Sequence, residues 1–232
     1  MPKLCGVSPA EDAGNTPDLS TVAQDYLKVI WTAQEWSREK VSTKMLAERI
    51  GVSASTASES IRKLADQGLV HHEKYGAVTL TDIGRSAALA MVRRHRLMET
   101  FLVRELGYGW DEVHDEAEVL EHAVSDRMLD RIDAKLGFPT RDPHGDPIPD
   151  IGGGIEDLGT LTLASAPLDA PVTVERVCDE DPGLLRYLDD SGHGLSNQGW
   201  KDSGDAMRRA DGSIAQWRRS VAGGSEWSYD RP

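Results

Sequence analysis

The chain has 232 residues with 39% apolar content, enough for one large domain or two to three small ones with ordinary cores. No apolar run approaches the roughly 20 residues of a membrane span, the N-terminus lacks the apolar core of a signal peptide, and Cys5 and Cys178 stand far apart in irregular contexts, so the expected setting is cytoplasmic, without membrane, disulfide framework or thiolate metal site. The net charge of -13 argues against nucleic acid only as a total: residues 18–106 carry 13 Lys and Arg against 11 Asp and Glu, whereas residues 107–190 carry 6 against 21. That polarity suits a nucleic-acid reader joined to a cation binder.

Residues 1–18 read as a flexible leader. A first helix is expected from Leu19 to about Trp36, with Ser20 as N-cap, an apolar face of Val22, Tyr26, Val29 and Ile30, and Asp25 at the edge of that face. Ser42 or Thr43 then opens a helix to Ile50. Gly51, Val52 and Ser53 form a tight turn, and a second helix runs from Ala54 to about Gln67, with Gly68 as a left-handed cap. This is helix-turn-helix spacing. Two short strands, Leu69 to Glu73 and Ala77 to Leu80, complete the order of a winged helix over residues 19–82.

The second helix of the pair is rich in hydroxyls. Ser53, Ser55, Thr56 and Ser58 are small enough to approach a major groove and bond phosphates or base edges, and Arg62 adds attraction for phosphate.

A long helix capped by Asp82 is expected from Ile83 to Leu106, with His95 and Glu99 four apart on one side. Another, capped by Asp111, spans Trp110 to His122. It gathers His114, Glu118, Glu121 and His122 within about 100° of helical arc. Carboxylates crowded with imidazoles on one face repel unless something positive lies among them, and a divalent cation supplies that charge. Ser125 starts a helix to Leu136. The apolar positions Leu120, Val124, Met128, Leu129 and Ile132 serve either a two-fold dimer interface or the core of one subunit. Residues 83–137 thus read as an all-helical metal-binding and dimerisation domain.

Residues 138–171, rich in Pro and Gly at their start, read as a linker. Val172 to Val177 resembles a strand, and Asp181 caps a short helix to Leu188. After Asp190 neither period 2 nor period 3.6 is visible, and poor order is expected.

Taken together, the winged helix, Arg94 to Glu99, Val113 to Ala117, Glu121 with His122, and His144 to Pro149 resemble the diphtheria-toxin-repressor family of metal-dependent transcriptional regulators over roughly residues 19–149. The resemblance implies a mainly α protein with two metal positions. One uses His95, Glu99 and His114, and the other uses Asp25, Glu118, Glu121 and His122. Carboxylates at 25 and 118, where iron-type members carry methionine and cysteine, favour Mn²⁺, with Fe²⁺ and Zn²⁺ also accommodated by such ligands. The implied function is a repressor with metal as corepressor, acting as a homodimer on a palindromic double-stranded DNA operator. Longer members end in a small β-barrel; residues 172–190 look like its beginning, and the abrupt change beyond them reads as a degenerate or frame-shifted end. An enzymatic reading is disfavoured, because di-metal carboxylate bundles carry paired Glu-x-x-His motifs and here the Glu and His pairs are four apart.

Overall fold

A computed structural model describes residues 19–36, 39–72, 76–156, 171–173, 175–179, 181–190, 198–203, 206–209, 214–216, 218–219 and 227–228. They belong to two compact units, residues 1–89 and 90–232. The expected leader and the tip of the wing lie outside the described residues.

In the first unit, α1 spans Thr21–Trp36, and the Ser20 side chain accepts from the Ala23 amide at 3.3 Å. Its buried stripe is Tyr26, Leu27, Ile30 and Trp31, not the face that includes Val22, which is 57% exposed. The step from Tyr26 to Leu27 and from Ile30 to Trp31 keeps a helical period but rotates the stripe by about one residue. α2 (Thr43–Ile50) and α3 (Ala54–Asp66) are capped by Ser42 and Ser53, whose hydroxyls accept from the Met45 and Thr56 amides. Replacing such a cap with Ala costs about 0.5–2 kcal/mol. Gly51 joins the two helices at φ 74°, a left-handed conformation that a β-carbon disfavours. Ala57, Ile61 and Leu64 bury one side of α3. β1 (Val70–His72) pairs antiparallel with β2 (Val78–Leu80) to make the wing, and the Val78 amide ties it to the Val41 carbonyl at 2.9 Å.

α4 spans Asp82–Phe101 and continues as a π turn over Leu102–Leu106. Its cap is Thr81, whose hydroxyl accepts from the Gly84 amide at 3.0 Å, rather than Asp82, which is the first helical residue. α5 is Val113–Leu120, shorter than expected at both ends. Asp111 does not cap it, since its carboxylate is engaged by Arg186 at 2.8 Å. α6 is Asp126–Leu136, capped by Ser125 and closed by Gly137 at φ 78°.

The core of this unit joins Leu97, Met98, Leu102, Val113, Ala117, Val124, Leu129, Ile132 and Ile148. Three of the five positions open to a dimer or a core role, Val124, Leu129 and Ile132, are therefore core of one subunit. Met128 remains 50% exposed. A buried ion pair braces the same region: Arg93 Nη2 donates to Asp133 Oδ2 at 2.6 Å, and its Nη1 to the Pro149 carbonyl at 2.7 Å. Arg93→Ala strands the Asp133 carboxylate at 5% exposure. Its expected cost is about 3–5 kcal/mol, read as a lowered urea midpoint with unchanged slope.

α7 (Pro182–Asp190) begins at Asp181, whose carboxylate accepts from the Gly183 and Leu184 amides. Val177, Leu185 and Leu188 pack with Trp110 in a second cluster. The expected strand from Val172 is confined to β3 (Pro171–Thr173). β4 (Gln198–Ser203), β5 (Ala206–Arg209) and β6 (Ile214–Gln216) form with β3 an antiparallel sheet in the order β3-β4-β5-β6, and β7 (Arg218–Arg219) pairs with β8 (Trp227–Ser228). Antiparallel pairing satisfies the backbone whatever the side-chain alternation, so weak periodicity does not exclude strands.

Candidate functional site

The run Arg93 to Arg96 on α4 sends its side chains in different directions, and each fixes part of the site. Arg94 Nη1 donates to the Val124 carbonyl at 2.6 Å and the Glu121 carbonyl at 3.3 Å, and Arg94 also pairs with Asp126. The turn after α5 is thereby held against α4. Arg96 donates to the Pro147 carbonyl at 2.7 Å and anchors the loop at 142–148. His95 is left pointing between them.

His95 Nδ1 lies 2.6 Å from Glu121 Oε2, and both residues are buried. A carboxylate only accepts, so the proton sits on Nδ1 and the lone pair of the neutral ring is on Nε2. That nitrogen faces Glu99 Oε1 at 3.0 Å and His114 Nδ1 at 3.3 Å. His114 Nδ1 is in turn 3.4 Å from Glu99 Oε1 and 3.3 Å from Asp179 Oδ2. One donor atom from each of these four residues lies within 4.8 Å of all the others.

The spacing fits a metal ion. Bonds of about 2.0–2.1 Å put neighbouring ligand atoms about 3.0 Å apart on an octahedron and about 3.3 Å apart on a tetrahedron. The observed 3.0–3.4 Å separations match those edges. Electrostatics point the same way. Burial pushes His114 down, but hydrogen bonds and charge from Asp179 and Glu99 outweigh it and raise the imidazole to about 11. Burial likewise opposes ionisation of Glu99, yet His95 and His114 hold that carboxylate well below its usual range. Without a metal, protons supply the positive charge this pocket needs.

His95, Glu99 and His114 thus come together as expected, with Asp179 as a fourth donor. Glu118, Glu121 and His122 lie beside this pocket. Glu121 Oε1 lies 3.4 Å from His122 Nε2 while its other oxygen holds His95, and Glu118 Oε1 lies 3.7 Å from His114 Nε2. Both groups therefore meet at Glu121. Asp25 is half-buried on α1 of the first unit.

Asp179 depends on the segment before α7. That segment is tied down by Val177 N donating to the His144 carbonyl at 2.9 Å, by Arg176 pairing with Asp146, and by Arg186 bonding Asp111. It also runs so close to Gly145 (φ 86°) that a β-carbon there falls 2.0 Å from the Glu175 carbonyl oxygen. Gly145→Ala is expected to push residues 175–179 away and weaken Mn²⁺ binding in calorimetry, with helical circular dichroism retained.

In the first unit, Ser53, Ser55, Thr56, Ser58 and Arg62 are all exposed on the side of α3 opposite its buried stripe. Ser53 doubles as the cap, and its hydroxyl lies 2.8 Å from those of Ser55 and Thr56. Ser55, Ser58, Glu59, Arg62 and His72 line an open groove of about 640 Å³ between α3 and the wing. Glu59 pairs with Lys63 at 2.9 Å. The strand residue His72 has no signal in the sequence, because only the fold brings it beside α3.

Two family models match the chain: the N-terminal DNA-binding domain of iron-dependent repressors over residues 18–78, and their metal-binding and dimerisation domain over residues 81–150. The iron-dependent repressor IdeR of Mycobacterium leprae is 33% identical over 188 residues, covering 75% of this chain and 81% of that protein. A structure of a manganese-dependent transcriptional repressor in complex with manganese superposes with a TM-score of 0.78 at 64% identity, covering 83% of this chain and 92% of the other. A second manganese-dependent transcriptional repressor gives 0.66 at 48% identity, covering 88% and 97%.

Proposed function

Because the chain belongs to the iron-dependent repressor family, we propose that it is a metal-dependent, DNA-binding transcriptional repressor of the manganese branch, with Mn²⁺ as corepressor. The carrying observation is the donor set of His95, Glu99, His114 and Asp179, all imidazole or carboxylate, at coordination spacing. Nitrogen and oxygen donors without a thiolate suit Mn²⁺ and also accept Fe²⁺ or Zn²⁺. Bound there, the ion supplies the positive charge that otherwise comes from protons.

The protein's own groups do the rest. Glu121 fixes the His95 tautomer, Arg94 fixes Glu121, and residues 175–179 deliver Asp179. The family resemblance adds Asp25 to Glu118, Glu121 and His122 as a second ligand set, which makes metal occupancy depend on the DNA-reading half as well. We propose residues 19–82 as that half, 83–137 as the metal-binding and dimerisation domain, 138–171 as linker and 172–232 as a C-terminal region. The active form is a cytoplasmic homodimer on a palindromic operator, with two recognition helices about one DNA turn, roughly 34 Å, apart. Ser53, Ser55, Thr56, Ser58 and Arg62 form the contact surface.

Fluorescence anisotropy on a duplex from the protein's own promoter, titrated in EDTA and then in Mn²⁺, Fe²⁺ and Zn²⁺, tests this reading. Binding that needs a divalent ion, strongest with Mn²⁺, is expected; equal binding in EDTA overturns it. Arg62→Ala is expected to weaken binding to all sequences alike and to reduce the slope of log affinity against log salt by about 1.

A further inference from the structure

The outward face of α3 carries one residue that attraction to phosphate does not explain. Counted at about 100° per residue from Ala57 in the buried stripe, Ser55, Glu59 and Arg62 fall at about 160°, 200° and 140°, so all three lie opposite the core. Glu59 is exposed in the middle of the face proposed to meet DNA, and with Ser55, Ser58, Arg62 and His72 it lines the groove between α3 and the wing. Among the described residues of that groove it is the one acid.

A duplex carries one negative charge per about 1.7 Å of its axis, so an anion brought against it is repelled unless it meets a donor. Glu59 arrives charged. A hydrogen bond and the charge of Lys63, whose Nζ is 2.9 Å from Glu59 Oε1, hold the carboxyl below its usual range. An ionised carboxylate accepts and cannot donate, and its two oxygens offer about four lone-pair sites, so pairing with Lys63 leaves acceptor capacity.

Few base edges in the major groove suit such a group. Guanine presents N7 and O6, both acceptors, and thymine presents O4 and a methyl group. Adenine sets its N6 donor beside the N7 acceptor, a pair that matches a carboxamide rather than a carboxylate. Cytosine offers the N4 donor with no acceptor beside it on its own edge.

On the basis of the repressor reading above, we propose that Glu59 is a specificity-determining residue: it accepts from the N4 amino group of one cytosine in each half of the operator and rejects the other three bases at that position. Its neighbours divide the remaining work. The hydroxyls of Ser55 and Ser58 donate or accept and so tolerate several bases, and Arg62 attracts phosphate without regard to sequence.

Competitive fluorescence anisotropy tests this, with the full chain in Mn²⁺ and duplexes enriched from a randomised pool, then varied one base pair at a time. The wild-type chain is expected to prefer cytosine at one position of each half-site by about tenfold or more. Glu59→Gln is expected to move that preference to adenine, and Glu59→Ala to lose it at that position alone, with equal or tighter binding overall because a negative charge has gone. Glu59 lies outside the core, so helical circular dichroism should be unchanged in both variants. Identical base preferences in all three proteins, with affinity altered by one factor for every duplex, show that Glu59 acts by charge alone; they overturn this inference and leave the repressor reading standing. A base other than cytosine preferred by the wild-type chain at the altered position overturns it as well. Failure of the wild-type chain to enrich any sequence in Mn²⁺ overturns both.

Discussion

Removing Mn²⁺ by chelation is expected to lower operator affinity about a hundredfold, measured by anisotropy at fixed salt. A ligand present at a hundredfold excess over its Kd and specific for the DNA-competent state contributes about 2.7 kcal/mol, which is about two decades in binding. The molecule has a reason to require it. Glu99, Glu121 and Asp179 are carboxylates brought together with His95 and His114, in a space where burial opposes ionisation of Glu99, Asp179 and His114. Protons relieve the repulsion without demanding any one geometry, whereas a metal ion demands that all donors point to one centre. Asp25→Ala combined with Glu118→Ala is expected to make binding insensitive to chelator at the weaker level. Tight binding by this double variant in Mn²⁺ would refute the role given to the second ligand set.

Much of this was legible in the residues. Ser42, Ser53, Ser125 and Asp181 announce their helices because a hydroxyl or carboxylate before an apolar period has one favourable use, accepting from the amides of the first turn. The pairing of His95 with Glu99 was legible because helical spacing is local, whereas His114, on another helix, joined them only through the family resemblance. The end of α5 was harder, since Leu120 to Val124 turns without Gly or Pro and the turn is imposed by Arg94 gripping its carbonyls. Asp179 carries no local mark among so many acidic residues. Its position rests on Arg176, Val177 and the absence of a β-carbon at Gly145, all of them contacts with the distant loop at 142–148.

The dependence of both ligand sets on Glu121 leads to the second large effect. Glu121 is fully buried, with Oε2 at 2.6 Å from His95 Nδ1 and Oε1 at 3.4 Å from His122 Nε2. Glu121→Ala removes a donor from the second set and also frees the His95 ring to turn or change tautomer. Loss of an outer carboxylate of this kind typically costs 10–100-fold in metal affinity at the neighbouring site. The expected calorimetric result is therefore a drop of about that size in Mn²⁺ binding at His95, Glu99, His114 and Asp179, although Glu121 is not assigned to that set. His122→Ala, by contrast, is expected to weaken only the second set, and Glu121→Gln retains an acceptor for His95 Nδ1 and should restore much of the lost affinity at the first. Equal behaviour of the alanine and glutamine variants at the His95 pocket would show that the carboxylate, and not the hydrogen bond, is what joins the two sets. Unchanged affinity there in Glu121→Ala would show that they are independent.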